Sequence, residues 1–203
     1  MARVTKRGPR RGAKPQASQG QVRIIGGAQR GRRLQFVDQG GDLRPSGDRM
    51  RETLFNWLQF ELVGTRVLDL FAGSGALAAE ALSRGAASAV VVEKVPARSA
   101  DLSRQLEALF AERVCVHCAD ALQWLMTAAA RQAPFDLVFI DPPYDLGLAE
   151  PACAALEELG LLSDQAWLYV ESRRQQPAPA VPANWRLHRE KTAGEVRACL
   201  YRR

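Results

Sequence analysis

Asp141-Pro142-Pro143-Tyr144 places a carboxylate, two prolyl carbonyls and an aromatic ring directly after an apolar run, residues 135–140. Two adjacent prolines have no N–H group to give to a sheet, so a strand formed by this run must end there with free carbonyl groups. An amino group on a flat base can donate to Asp141 and to the Pro142 carbonyl while the base stacks on Tyr144. The tetrapeptide therefore predicts such a site, and the alternative is a plain turn that ends a strand.

A glycine-rich turn lies upstream, between a predicted buried strand over residues 66–71 and a predicted helix over residues 76–84. Glycines in such a turn let an adenosine-containing ligand approach the backbone closely. The spacing of Gly73, Gly75 and Ala78 also fits the dinucleotide fingerprint, so a nicotinamide enzyme is an alternative. Asp69 makes that alternative the weaker one, because its carboxylate would repel a pyrophosphate but suits the amino group of methionine or a sulfonium.

Two further acids end predicted strands. Glu93 follows the apolar run 90–92, and it stands 18 residues after Gly75 (93 minus 75), a distance that suits an acceptor for two ribose hydroxyls. Asp120 ends a predicted strand over residues 114–120 and would lie beside the same crevice. Acids also often follow strands as N-caps of the next helix, so for Asp120 a capping role stays open.

The composition fits one well-buried domain with appendages, since the chain has 203 residues of which 47% are hydrophobic. It contains no apolar run of about 18 residues, and its basic start lacks the apolar segment of a secretory signal. We therefore expect a cytoplasmic protein without a membrane partner. Cys115, His117 and Cys118 resemble a metal motif, but the two cysteines would point to opposite faces of a strand, so we predict no metal.

Charge is strongly segregated along the chain. Residues 1–33 carry ten basic and no acidic side chains, whereas the remainder carries 18 basic and 22 acidic ones, and these values (+10 and −4) give the net charge of +6. A basic arm on an acidic body is typical of nucleic-acid binding, and a solubilising tail is the alternative. The predicted RNA contacts are arginines of the hairpin and of the segment after it: Arg23, Arg30, Arg32, Arg33, Arg44, Arg49 and Arg51.

The order of elements predicts three regions. Residues 1–20 are predicted to be a disordered basic arm, residues 21–43 a small β-hairpin, and residues 44–203 the main domain. In the main domain, predicted strands alternate with predicted helices over 97–112, 121–131 and 148–159, which indicates a parallel sheet. The last of these helices precedes a predicted strand over residues 166–171. Residues 185–191 and 195–201 read as a final antiparallel hairpin. The fold class is therefore α/β and Rossmann-like, with a mostly parallel seven-stranded sheet.

These motifs together resemble the bacterial RsmD family of class I methyltransferases, over nearly all of residues 21–202. The shared stretches include residues 22–27, 48–58, 71–77, 141–143, 169–172 and 181–185. The resemblance implies S-adenosylmethionine as cofactor and, as substrate, the N2 amino group of one guanine in 16S rRNA within the small ribosomal subunit. Departures from the family pattern occur at Ser46, Gly47 and Ala78. We also expect the protein to be a monomer.

The resemblance also implies roles for individual residues. Asp141, Pro142, Pro143 and Tyr144 would form the catalytic corner, and Asp120 would face the adenine amino group. The implied cofactor-binding residues are Asp69, Phe71, Ala72, Gly73, Gly75, Glu93, Asp120 and Ala121. Two alternatives remain: a methyltransferase for adenine N6 or cytosine N4, and a non-catalytic ribosome-assembly factor. Intact acids and glycines in both clusters argue against the second alternative.

Overall fold

The structure is a computed structural model that describes residues 18–38, 47–128 and 131–203. Its strands are β1 Ser18–Arg23, β2 Arg33–Asp38, β3 Arg66–Asp69, β4 Ser88–Glu93, β5 Val114–Cys118, β6 Phe135–Ile140, β7 Leu162–Arg173, β8 Arg186–Ala193 and β9 Val196–Arg202. Its helices are α1 Asp48–Trp57, α2 Ala76–Ser83, α3 Pro96–Phe110, α4 Ala121–Ala128 and α5 Ala149–Glu158.

The main sheet has seven strands in the order β5-β4-β3-β6-β7-β9-β8. Strands β3 to β7 are parallel, because a helix returns the chain between successive strands, and β9 inserts antiparallel between β7 and β8. The predicted fold, with its C-terminal antiparallel hairpin, is confirmed. The order places the crevice where the connections diverge, on either side of β3, which is where open α/β sheets bind ligands.

Several element boundaries differ from those predicted, and two of the differences have a local reason. Strand β7 begins at Leu162, whereas the prediction began it at Ala166, because Leu162 pairs with Phe135 before a register shift in the ladder. Strand β5 ends at Cys118, two residues earlier than predicted, because Asp120 begins the following helix instead.

Apolar side chains form one layer on each face of the sheet. On one face they join the sheet to α1, α2, α3 and the β1–β2 hairpin. On the other face they join it to α4, α5 and Trp185. Because both faces are covered, the central parallel strands are almost entirely buried, and β3, β4 and β6 read as continuous apolar runs.

The predicted N-terminal hairpin is present as a two-stranded antiparallel sheet, and buried polar bonds attach it to α2. The fully buried Glu80 carboxylate accepts the N–H groups of Ile25 at 2.7 Å and Gly26 at 2.8 Å. Gly27 has φ +76°, and a Cβ at this position would lie 1.9 Å from the Ser83 carbonyl oxygen. Backbone contact this close requires glycine and fixes the hairpin against the helix.

Strand β1 begins at Ser18, so three residues of the segment predicted as a disordered arm belong to the hairpin instead. The rest of that segment, residues 1–17, lies outside the described residues. The division into arm, hairpin and main domain stays a prediction in its other respects.

Within the described ranges, no helix is long and apolar enough to cross a membrane. The same residues contain no group of three or more His, Cys, Asp or Glu side chains arranged to hold a metal ion. The four cysteines are free thiols, of which Cys115 and Cys118 are exposed and Cys153 and Cys199 are buried.

Candidate active site

A cleft with a volume of about 320 Å³ lies at the carboxyl ends of β3, β4 and β6. It brings together the two clusters that the sequence separates by about 70 residues, Asp69 to Gly73 and Asp141 to Tyr144. Of the predicted site residues, the following line it: Asp69, Phe71, Ala72, Gly73, Glu93, Asp120, Ala121, Asp141, Pro142, Pro143 and Tyr144. The cleft is large enough for a nucleoside ligand.

The glycine turn positions the start of α2 beside the cleft. Gly73 has φ +52° and Gly75 has φ +70°, conformations that favour glycine. Gly75 does not line the cleft: a Cβ there would lie 2.6 Å from Cδ2 of Leu102 on α3. Gly75 therefore has a packing role in shaping the turn, and its contact with the cofactor stays a prediction.

Glu93 connects the two loops that border one end of the cleft. Its carboxylate accepts N–H groups from Gly73 at 3.0 Å and Val95 at 2.8 Å, and it forms an ion pair with Arg98 at 3.3 Å. The residue is 5% exposed, so these donors offset the cost of burying its charge. The residue also lines the cleft, where an acceptor for a ribose hydroxyl is expected.

Asp69 is a buried carboxylate with few hydrogen-bond donors to offset the cost of burying its charge. Its Oδ2 accepts one N–H group, from Ala78 at 3.2 Å, and the residue is 3% exposed. Burial, with a smaller contribution from the Glu93 charge, raises the pKa of Asp69 to about 7. A cationic group that entered the cleft would stabilise the ionised carboxylate, so the site fits an ammonium or a sulfonium.

Asp120 combines the two roles that the sequence leaves open. Its Oδ1 accepts the N–H groups of Leu122 at 3.1 Å and Gln123 at 3.2 Å, which is the geometry of an N-cap for α4. The residue also lines the cleft. Capping through Oδ1 fixes the orientation of this carboxylate at the border of the cleft.

The Asp-Pro-Pro-Tyr corner follows directly from the end of β6 at Ile140. Pro142 is buried, Asp141 and Tyr144 are half-buried, and Pro143 is exposed. The Tyr144 hydroxyl donates to Oε2 of Glu171 at 3.3 Å. Burial, together with the charges of Asp141 and Glu171, raises the pKa of Tyr144, so its hydroxyl stays protonated.

Sequence reasoning gave no role to three charged residues around the cleft. Arg98 lines it and is paired with Glu93, Arg173 lines it and is paired with Asp145 at 3.2 Å, and Glu171 binds Tyr144. The signal for Glu171 was a carboxylate at the end of the predicted apolar strand 166–171. Its partner could not be read from the sequence, because the contact joins residues 27 positions apart.

The predicted RNA contacts differ in their exposure to solvent. Arg23, Arg30, Arg32, Arg33 and Arg49 are exposed, whereas Arg44 lies outside the described residues.

Arg51 was predicted to contact RNA, but it lies inside the protein. It borders the cleft but is only 1% exposed, and its guanidinium donates to the Arg23 carbonyl at 2.9 Å and to Asp48 at 2.6 Å. It lies 3.8 Å from Glu80, so it is an internal connection between the hairpin, α1 and α2. This burial argues against the predicted contact of Arg51 with RNA, which stays untested.

The turn that carries Arg30 and Arg32 lies away from the cleft. The N–H group of Ala28 donates to the Ser83 carbonyl at 2.7 Å, and the Gln29 amide donates to the Leu109 carbonyl at 3.4 Å. These carbonyls belong to the last turns of α2 and α3. Both helices start at the cleft and run back toward the amino ends of the strands. The turn therefore lies at the end of the sheet opposite the cleft.

Comparison with known proteins agrees with this geometry. The model of the family described as "Conserved hypothetical protein 95" matches residues 22–202. The chain belongs to this family. It is the RsmD family whose motifs the sequence resembles, and that prediction is confirmed.

Two relatives and one solved structure show how close the family members are. The chain is 50% identical over 184 residues to "Ribosomal RNA small subunit methyltransferase D" of Escherichia coli (strain K12), with 91% of each chain covered. It is 41% identical to the protein of the same name from Haemophilus influenzae, covering 91% of this chain and 95% of that one. The solved "Putative methyltransferase yhhF from Escherichia coli" is 47% identical with a TM-score of 0.80, and 91% of this chain and 98% of that chain are covered.

Proposed function

We propose that this protein transfers the methyl group of S-adenosylmethionine to the N2 amino group of a guanine in the 16S rRNA of the small ribosomal subunit. The observation that carries the proposal is the single cleft that joins the glycine turn and its acids to the Asp-Pro-Pro-Tyr corner. The names of the RsmD-family relatives support a ribosomal RNA of the small subunit as substrate. The choice of guanine N2 rests on the family resemblance.

The residues at the cofactor end of the cleft fit S-adenosylmethionine. Asp69 offers a buried carboxylate to the methionine ammonium, Glu93 offers acceptors to the ribose hydroxyls, and Asp120 offers one to the adenine amino group. The backbone at Gly73 lies open to the cleft beside them. When bound, the cofactor supplies an electrophilic methyl group on a sulfonium.

The corner residues act on the nucleophile. The lone pair of a guanine amino group is delocalised into the ring, so this group is a poor nucleophile. Acceptance of its N–H bonds by Asp141 and the Pro142 carbonyl fixes the amine and favours its pyramidal form. Because the amine becomes cationic as the methyl group arrives, the Asp141 carboxylate stabilises charge that develops in the transition state. The ring of Tyr144 supports the face of a base that has left its stack.

Methyl mapping on ribosomal subunits tests this function. Small subunits that lack the modification are incubated with the protein and radiolabelled S-adenosylmethionine, and the labelled nucleotide is located by nuclease digestion. We expect one N2-methylguanine in 16S rRNA, at the same position in every preparation. Asp141→Ala serves as the inactive control. Label on adenine or cytosine would show that one of these bases, and not guanine, is the substrate. The absence of label from all RNA would contradict the proposal that the protein is a methyltransferase.

The cellular setting follows from the substrate. Small subunits are assembled in the cytoplasm, so the protein is proposed to act there. The predicted monomeric state and the absence of a metal requirement stay predictions.

A further inference from the structure

Glu171 is a buried carboxylate that accepts hydrogen bonds from two tyrosines next to the candidate active site. The residue is 1% exposed and lies on β7. Its Oε1 accepts the hydroxyl of Tyr169 at 2.5 Å, and its Oε2 accepts the hydroxyl of Tyr144 at 3.3 Å. Hydrogen bonds to an ionised acceptor are stronger than neutral ones, and they stabilise a charge that is costly to bury alone.

The Tyr169 side of this network is fixed by the core. Tyr169 and Glu171 are two residues apart on one strand, so their side chains lie on the same face of the sheet. The Tyr169 ring is fully buried and packs edge-on against Phe139, with ring centroids 6.2 Å apart, and Phe139 packs in the same way against Phe55 of α1 at 6.0 Å. A close-packed interior leaves the Glu171 carboxylate little freedom to move.

The Tyr144 side depends on that fixed carboxylate. Tyr144 is half-buried and lies on the short segment between β6 and α5, where Pro143 and Asp145 on either side of it are exposed. Arg173 lies two residues beyond Glu171 on the same face of β7, and its guanidinium pairs with Asp145 at 3.2 Å. Alternate side chains of β7 therefore bind Tyr144 of the catalytic corner and the residue that follows it, Asp145.

We propose that Glu171 is a positioning residue for methyl transfer, which fixes the ring of Tyr144 against the substrate base through the Tyr144 hydroxyl. The inference deepens the proposed function and rests on it. A ring held only at its Cβ can tilt about the side-chain torsions, whereas a bond at the far end of the ring fixes its plane. Because transfer requires alignment of the amine with the methyl group, a small displacement of the supporting ring slows the reaction strongly.

A double-mutant cycle tests the inference. The variants are Glu171→Gln, Tyr144→Phe and the double mutant, and the measurement is the single-turnover rate of methyl transfer to small subunits with saturating cofactor. Tyr144→Phe keeps the ring and removes only the hydroxyl that Glu171 binds. We expect each single variant to be slower by about 10- to 100-fold and the double mutant to be no slower than Glu171→Gln alone. The dissociation constant for S-adenosylmethionine should stay at the wild-type value in all three.

Glu61→Gln is the matched control. Glu61 also accepts a hydrogen bond from a β7 side chain, since Trp167 Nε1 donates to its Oε2 at 3.2 Å. This contact lies near Thr65 and Asp136, at the amino ends of β3 and β6 and away from the cleft. The variant should transfer the methyl group at the wild-type rate. A comparable loss of rate in Glu61→Gln would show that any lost polar contact on β7 slows the enzyme, and it would overturn a specific role for Glu171.

The remaining outcomes also decide the question. Independent, multiplicative losses in the two single variants would mean that Glu171 does not act through Tyr144, and a wild-type rate for Tyr144→Phe would overturn the inference even if Glu171→Gln failed to fold. Failure of the wild-type protein to methylate small subunits would instead contradict the proposed function. The two failures are therefore distinguishable.

Discussion

The two ends of the cleft are held in shape by different kinds of hydrogen bond. At the cofactor end, backbone N–H groups of Gly73, Val95 and Ala78 bind the carboxylates of Glu93 and Asp69. At the corner that would hold the substrate, Tyr144 is bound by the side chain of Glu171. Backbone donors remain when a side chain is replaced, so the cofactor end should tolerate substitutions around it. The substrate end depends on a few individual side chains.

The attachment of the hairpin follows the pattern of the cofactor end. Glu80 is a third buried carboxylate that accepts backbone N–H groups, in this case from Ile25 and Gly26. Glu80 and Glu93 each fix a loop from another part of the chain, whereas Asp69 binds the first turn of α2. The hairpin and the glycine turn are thus both attached by acids that bind backbone, whereas Tyr144 of the catalytic corner is bound by a side chain.

Asp141→Ala should have the largest effect, and it should be confined to the substrate end. Loss of the carboxylate removes stabilisation of the cationic amine in the transition state, so we expect single-turnover methyl transfer to slow by about 10²–10³-fold. Cofactor affinity should be unchanged, because Asp69 and Glu93 keep their backbone donors. Rapid-quench measurement of the rate, alongside calorimetric titration of the cofactor, checks both parts. A rate within threefold of wild type would show that Asp141 belongs only to the turn that ends the strand and has no part in catalysis.

Glu93→Ala should give the reverse pattern. The ribose hydroxyls lose a charged acceptor, which costs about 1.5–3 kcal/mol of binding free energy, or roughly 10- to 150-fold in the dissociation constant. Calorimetric titration with S-adenosylmethionine measures this change, and the exposed Glu112→Ala is the control for loss of a carboxylate. Gly73→Val should abolish binding, because a side chain there blocks approach to the backbone. Wild-type affinity in both variants would remove the cofactor assignment from this end of the cleft.

The sequence predicted the framework better than the partners of its charged residues. Strand β6 has the predicted bounds, because an apolar run followed by two prolines determines both of its ends. The burial of Arg51 was not predictable, since its i, i+3 partner Asp48 is local but its other contacts, with the Arg23 carbonyl and Glu80, are 28 and 29 residues away in the chain. The bond from Tyr144 to Glu171 was missed for the same reason. Local patterns predict elements, whereas such contacts depend on how the elements pack.

The pH dependence of cofactor binding tests whether Asp69, a buried carboxylate with one backbone donor, is protonated before the cofactor binds. Its pKa is raised from 3.8 to about 7 before the cofactor binds, and the methionine ammonium favours the ionised form. Binding below about pH 7 should therefore release a proton, and affinity should rise several-fold from pH 6 to about pH 7.5. At higher pH it should fall again, because the α-amino group of the cofactor loses its own proton at about pH 8. Titration in buffers with different ionisation enthalpies measures the proton release, and Asp69→Asn should bind weakly without this dependence.

In the unliganded protein, the free energy of unfolding should fall as the pH rises through about 7, whereas cofactor affinity rises over the same range. Because the folded-state pKa lies above the ordinary value, the stabilising contribution of protonated Asp69 is complete below about pH 4 and is lost as the pH rises through about 7. Asp69→Asn should therefore raise the melting temperature at pH 8 relative to wild type. A cofactor affinity that is flat between pH 6 and about pH 7.5 would show that Asp69 is ionised throughout.

Removal of residues 1–17 should have the smallest effect and should leave both ends of the cleft unchanged. The truncation ends before β1, which begins at Ser18, and it deletes six basic residues, so the net charge falls from +6 to zero. Each phosphate contact that is lost should reduce the log–log salt slope of subunit binding by roughly one unit or slightly less. The modified nucleotide should not change, because phosphate contacts position a substrate and base contacts specify it. Identical slopes for the two proteins would make the arm a solubilising tail and would assign RNA binding to Arg23, Arg33 and the other exposed arginines of the hairpin.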